Sequence, residues 1–304
     1  MPYYVNCGKG INDIEKIIET DIKYDMKGSY NITYVSEFKT NLLTYLIALV
    51  NPNWDLFKEE ELYPDIDIDT DKQISKVLLT SSRITSKLVA LDRNNLDYKT
   101  TNERVVVIYK QEGVENDIEV GDIFKKIDGV DVVSNKTIME VVKNHKKDDV
   151  IKIEVINNGK EYTRTAKLYE AEGDVYIGIT TLYNYDIESD INIDVKYSKH
   201  TYGSSGSFMV SLMMYDILNE FDLSHGLKIA GTGSLDKTGA VHEIAGVKYK
   251  LKGAVNDKAD IFFVPNENNY DEAIKEQKKH NYDIKIIGID TIDDAIKYLE
   301  NYGL

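Results

Sequence analysis

Along the second half of the chain the apolar positions switch between two periods. Residues 191–197, Ile-Asn-Ile-Asp-Val-Lys-Tyr, alternate apolar and polar side chains, the period of a strand with one buried face. The small-residue stretch Tyr202-Gly203-Ser204-Ser205-Gly206-Ser207 then opens a segment in which Phe208, Met209, Leu212, Met213, Ile217 and Leu218 recur at helical spacing. Residues 227–235 predict a strand entering a glycine turn and residues 239–244 a second strand. Val247, Leu251, Ala254 and Val255 mark the inward face of the next helix. Short apolar runs at 259–265 and 284–288 read as buried strands separated by a polar helix over 270–279, and a helix over 292–298 closes the chain. Alternating strands and helices make this region α/β.

Upstream, residues 28–36 alternate as a strand, and Leu42, Leu43, Tyr45, Leu46, Ala48 and Leu49 form the apolar face of a helix that Asn51-Pro52-Asn53 ends. Residues 65–71 alternate Asp with Ile or Thr. The spacing superficially suggests a calcium loop, but no Gly stands at the sixth position and no Glu at the twelfth, so an acidic, N-capping loop is expected and no metal site. A long helix follows over 72–91, terminated by Asp92-Arg93-Asn94-Asn95. From Glu103 the character changes to short strands. These are 105–108, then Val120-Gly121-Asp122-Ile123-Phe124-Lys125-Lys126-Ile127-Asp128-Gly129 as turn, strand and turn, a short helix over 137–144, and a hairpin of 150–156 with 162–168 around Asn157-Asn158-Gly159-Lys160. The expected boundaries are therefore 1–103, a small β-rich unit at 104–170, and 171–304.

Composition narrows the partners. The 304 residues carry a formal net charge of −15 and 42% hydrophobic residues, enough for real cores but the wrong sign for a phosphate backbone, so no nucleic-acid partner is expected. The single cysteine, Cys7, permits no internal disulfide and reads as an inert small residue. No run of 18 apolar residues occurs, and residues 1–4 do not open a signal peptide. Gly231-Thr232-Gly233 lacks the third glycine of a dinucleotide fingerprint and no P-loop motif is present, so no cofactor is expected.

The candidate chemistry lies in two stretches. Ser205 sits where a small-residue turn opens a helix, a position that leaves a hydroxyl beside unpaired N–H groups, and Ser204 and Ser207 are alternative hydroxyls in reach. Lys248 opens a second helix after Gly246, with Ile244, Val247 and Leu251 as apolar surroundings that would lower its pKa and make it a general base. Lys250 and Lys252 alternate with apolar residues and are expected to snorkel to solvent. The amides of Ser205 and Gly206 are natural oxyanion donors. A Ser-His-acid triad is arithmetically possible with His200 or with His242 beside Glu243, but His200 shares the serine's loop and His242 falls on a strand. His145, His225 and His280 read as surface residues.

Two resemblances attach to these motifs. The order of strand, polar loop, Val-Gly-Asp-Ile-Phe-Lys-Lys-Ile-Asp-Gly, helix and Asn-Asn-Gly-Lys hairpin resembles a bacterial PDZ domain, which implies capture of an extended peptide on a sheet edge. Gly203-Ser204-Ser205-Gly206-Ser207 followed by Phe208-Met209, Ala230-Gly231-Thr232-Gly233, Gly239-Ala240-Val241, Ile244-Ala245-Gly246-Val247-Lys248 and the Ala-Asp-Ile-Phe-Phe-Val-Pro-Asn-Glu of residues 259–267 resemble the proteolytic domain of Lon proteases. Ser204, Ser207 and Ala245 stand where that family has proline, glycine and glycine. Together the chain is similar to PDZ-containing Lon-like serine proteases of the SepM and YlbL type.

The resemblance implies an α/β (α+β) Lon-type proteolytic domain with the PDZ-like domain inserted between residues 95–99 and 170–174. It further implies an ATP-independent serine endopeptidase with Ser205 as nucleophile, Lys248 as base, and Gly206 and Thr232 in support. Peptides or unfolded proteins would be its substrates. An anchor upstream of Met1 would set an extracytoplasmic site at a bacterial plasma membrane, and a homo-oligomeric ring is an open possibility. A catalytically inactive PDZ-type peptide-binding scaffold and a hydrolase of non-peptide esters are the competing readings.

Overall fold

The computed structural model describes residues 2–64, 66–219 and 221–303. They divide into two compact units, one of residues 1–67, 85–97 and 189–304, the other of residues 68–84 and 98–188.

The first unit is built on a five-stranded sheet in the order Ile11–Asp13, Ser29–Thr33, Lys228–Gly231, Ile261–Pro265 and Lys285–Ile289. The last four strands run parallel, and only Ile11–Asp13 is antiparallel to its neighbour. Parallel neighbours need long crossovers, and the helices Val247–Asn256 and Asn268–His280 supply them. Their apolar faces meet the sheet through Val247, Leu251, Ala254, Ala273, Phe262 and Val264. Asn31 and Thr33 bond sideways to the next strand, Asn31 Nδ2 donating to Ile229 O at 3.1 Å and Thr33 Oγ1 to Gly231 O at 3.0 Å. Residues far upstream are thus integral to the α/β unit.

The helix Ser207–Leu218 departs from its expected single apolar face, because Ser207 through Ile217 are all buried. Its polar members are paired inside. Ser86 Oγ donates to Ser207 O and Ser211 Oγ to Ser86 O, while the Asp216 carboxylate accepts from Tyr30 Oη at 2.8 Å and Leu223 N at 2.9 Å. Burial pushes the Asp216 carboxyl up to about 6.

The single strand expected at 28–36 is two. Ser29–Thr33 joins the large sheet, whereas Ser36–Lys39 pairs with Tyr3–Cys7, which pairs with Asp55–Lys58. The acidic run is not all loop: the long helix begins at Ile68 and reaches Arg93, with Asp69 and Asp71 in its first turn where the helix dipole favours them. Asp65, the first member of that run, lies outside the described residues.

The second unit is an antiparallel sheet in the order Lys160–Lys167, Val150–Asn157, Ile123–Ile127, Lys99–Lys110 and Ile179–Glu188, with Val130–Asp131 beside Ile123–Ile127. Asn158 and Gly159 both take positive φ (50° and 75°), the two-residue hairpin turn that matches strand twist. The pairing of Ile179–Glu188 with Lys99–Lys110 carries this unit on to residue 188 rather than 170. Asp122 of the Gly-Asp motif is fully buried and accepts from Arg164 Nε at 3.0 Å, Asn157 Nδ2 at 2.8 Å and Glu119 N at 2.9 Å. Its role is to tie the loop to the hairpin.

Candidate functional site

The turn before the serine helix is drawn together by its own hydroxyls. Ser207 Oγ donates to Ser204 O at 2.8 Å and accepts from Leu235 N at 2.8 Å, and Ser234 Oγ donates to Ser204 Oγ at 3.0 Å. Ser204 and Ser207 are therefore engaged. Among the described residues the Ser205 hydroxyl makes no hydrogen bond, and the amides of Ser205 and Gly206 are unpaired. Gly206 caps the helix, and a Cβ there would meet Ile32 Cγ2 at 2.9 Å, so the turn needs glycine for space. Two donors and one uncommitted hydroxyl thus share the head of a buried helix.

Thr232 follows the strand Lys228–Gly231 and is fully buried. Its Oγ1 donates to Ser205 O at 3.1 Å, and Gly233 N donates to the same carbonyl at 2.8 Å. Because its own proton points to Ser205, the threonine oxygen is left to accept. The donor that fills it is Lys250, whose Nζ lies 3.1 Å away.

Here the structure reverses the expected environments of two lysines. Lys248 Nζ ion-pairs with Asp55 Oδ2 at 2.8 Å and its side chain is 39% exposed. Lys250, expected to snorkel to solvent, is 4% exposed, and burial alone pushes its amine down to about 7. The physical reason is the helical period. With 3.6 residues per turn, Lys250 falls at i+3 from Val247 and i−4 from Ala254, on the stripe that packs against the sheet, while Lys248 is rotated off it. That signal was in the sequence. Lys252 also stays off the stripe, its Nζ donating to Asn53 Oδ1.

The histidine arrangements do not form. His200 is exposed, and His242 Nε2 bonds Asp236 Oδ2 at 2.8 Å in its own turn, while Glu243 accepts from Asn268 N. Cys7 is buried, which raises its thiol pKa, and among the described residues no cluster of His, Cys, Asp and Glu could hold a metal ion. No helix among them is long and apolar enough to cross a membrane.

The second unit has a cavity of about 410 Å³ between the helix Asn135–Val142 and the start of Ile179–Glu188, lined in part by Ile138, Met139, Val142, Ile177 and Ile179. Ile179–Glu188 ends the sheet order, so one of its edges is paired to no strand among the described residues. Gly178 precedes it at φ +81°, where a Cβ would meet Val114 Cγ1 at 2.8 Å.

No protein-family model matches the chain. Over 95 residues, 31% of its length, it is 32% identical to a Lon protease of Campylobacter concisus (strain 13826), of which those residues are 12%. This chain is thus similar to a Lon protease over part of its length and spans a small fraction of that relative. Among solved structures it is similar to the PDZ domain of an SdrC-like protein from Listeria monocytogenes (26% identical, covering 28% of this chain and 93% of that one, TM-score 0.26). The PDZ domain of an SdrC-like protein from Listeria innocua gives 26% identity over 26% of this chain and 92% of that one, with a TM-score of 0.24.

Proposed function

We propose that the chain is a Ser-Lys endopeptidase of the Lon-like kind, with Ser205 as nucleophile and Lys250, not Lys248, as general base. The observation that carries the reading is the bonded series Lys250 Nζ, Thr232 Oγ1, Ser205 O, with a buried amine whose pKa lies near neutrality.

A serine hydroxyl at its ordinary pKa needs a base, and a lysine qualifies only when desolvation lets it be neutral at working pH. Lys250, buried beside Thr232, suits that demand, whereas Lys248 is part-exposed and paired with Asp55. In the proposed reaction Ser205 Oγ attacks the scissile carbonyl while its proton passes to the neutral Lys250 amine. The negative charge that develops on the carbonyl oxygen falls to the amides of Ser205 and Gly206. The Lys250 ammonium then protonates the departing amine, leaving an acyl-serine. Water attacks that ester, giving a proton to Lys250, and the collapse returns it to Ser205 Oγ. Thr232 orients the amine throughout, since its own proton is committed to the Ser205 carbonyl.

The cavity and open strand edge of the second unit suit capture of an extended peptide by strand addition, with apolar side chains entering between Ile138 and Val142. Cleavage is proposed to draw on no nucleotide hydrolysis, which favours unstructured segments as substrates. Incubation with unstructured peptides tests the whole. Cleavage that disappears in both Ser205→Ala and Lys250→Ala supports it. Peptides that bind but stay intact would make the chain a scaffold, and turnover of esters alone would make it a different hydrolase.

A further inference from the structure

We propose that the loop carrying the short helix Leu42–Ala48 is a membrane-docking element that lies in the interface of a lipid bilayer. Fractional exposure is 67% at Leu42, 66% at Leu43, 53% at Leu46, 38% at Ile47, 59% at Leu49 and 81% at Val50. At 100° per residue Leu42, Leu43, Leu46 and Ile47 cover an arc of about 140° of the helix, Leu49 and Val50 follow in the turn after it, and Thr44, Tyr45 and Ala48 turn inward. The usual order is inverted, with aliphatic side chains toward water. From Thr40 to Trp54 there is no charged residue, in a chain that is 29% charged.

Three features favour lipid over a protein. First, the six aliphatic side chains expose a patch of a few hundred Å², below the ~800 Å² that each partner gives to a standard protein interface. Second, the exposed arc holds none of the Trp, Tyr or Arg residues that anchor protein interfaces and nothing that could give specificity. Third, the residues that flank the loop are of the kinds found where a protein meets a membrane surface: aromatic pairs, Tyr3 with Tyr45 at 5.0 Å and Phe38 with Trp54 at 5.2 Å, and lysines against them, Lys9 Nζ 5.7 Å from the Phe38 centroid and Lys39 Nζ 5.4 Å from that of Tyr4. Lys39 is neutralised by Glu59 at 3.2 Å, and the chain as a whole is at −15, so insertion of the aliphatic face, rather than attraction to anionic headgroups, is the driving interaction.

Trp54 is the only tryptophan, which makes the site self-reporting. Phosphatidylcholine vesicles added to the full chain should co-float with it and shift Trp54 emission to the blue, in low and high salt alike. Leu43→Ser with Leu46→Ser, both solvent-facing changes that leave the core intact, should lower the bound fraction at least tenfold and abolish the shift, with the circular dichroism of the free protein unchanged. Failure of the wild-type chain to float on phosphatidylcholine overturns the proposal. So does binding confined to anionic phosphatidylglycerol vesicles and lost in salt, or a lipid-free dimer that the double substitution dissolves, since a second copy would then own the face. None of these readings depends on peptide cleavage.

Discussion

Lys250 Nζ lies 3.1 Å from Thr232 Oγ1, inside a protein whose Lys248, two residues earlier, is ion-paired to Asp55. The two lysines can be separated by substitution. Lys250→Ala is expected to lower kcat for an unstructured peptide by about 10²–10⁴-fold, the range for loss of a general base. Lys248→Ala should leave kcat within a few-fold and cost little stability, because an ion pair this exposed contributes at most about 1 kcal/mol. Steady-state cleavage of one fluorogenic peptide by both variants measures the contrast.

The buried amine sets the pH response in two ways. Activity should rise with pH through about 7 as Lys250 loses its proton in the fold. Stability should also rise with pH between about 7 and 10.5: there the unfolded chain still binds a proton that the folded chain has released, so deprotonation favours folding. Below pH 7 both states are protonated and the fold bears the cost of a buried charge. Lys250→Met removes that cost, so at pH 7 or below it should melt higher than wild type while being inactive. Paired urea titrations from pH 6 to 10 should show the two stabilities converging as pH rises.

Asp216 has the opposite charge and gives the opposite slope. Its carboxyl is raised by burial to about 6 in the fold, so between about pH 4 and 6 the folded chain holds a proton that the unfolded chain has lost, and stability falls as pH rises through that window. A shift of two units is worth about 3 kcal/mol. Asp216→Asn should flatten this fall, and the difference between the two stability curves over that window isolates it from the other carboxylates.

Ser207 holds the turn from inside. Ser207→Ala removes both the donor to Ser204 O and the acceptor for Leu235 N, leaving a buried amide unpaired at a cost of about 1–3 kcal/mol. Ser204→Ala forfeits only the bond to Ser234 Oγ and should cost less than about 1 kcal/mol. If the turn positions the Ser205 and Gly206 amides as proposed, Ser207→Ala also lowers kcat with KM little changed, which peptide kinetics would report.

The strand Ser29–Thr33 lies next to Lys228–Gly231 and is bonded to it by Asn31 and Thr33 as well as by the backbone. A fragment of residues 171–304 lacks this strand and would leave one edge of Lys228–Gly231 bare. Such a fragment is expected to show no cooperative melting transition by circular dichroism.

How legible this was in the sequence differs from residue to residue. The parallel strands at 259–265 and 284–288 followed from apolar runs bounded by polar residues, because strands buried on both faces are continuous in their hydrophobicity, and the polar segment between them was read as the one helix that joins them. The strand Tyr3–Cys7 was not read, since pairing with two distant segments, Ser36–Lys39 and Asp55–Lys58, is a long-range fact. The site was half legible. Glycine and serine clustering marked the turn around Ser205, but the choice among its three hydroxyls on physical grounds needed the bonds that engage Ser204 and Ser207. Lys250 was misread because a charged residue in an apolar stripe looks like one that bends away to water, and only the fold shows Thr232 waiting for it. The apolar face expected on Leu42, Leu43, Tyr45, Leu46, Ala48 and Leu49 left its surroundings open for the same kind of reason: the period tells which side is apolar, not which side meets protein.

Thr232 is anchored beyond its own strand, its N–H donating to Phe263 O at 3.0 Å while its hydroxyl spans Ser205 O and Lys250 Nζ. Phe263 sits in the middle of Ile261–Pro265, every residue of which is buried. A group fastened there cannot slacken while the sheet survives, so the proposed peptide cleavage should be lost to heat at the melting temperature and not before it, with inactivation and unfolding running as one event.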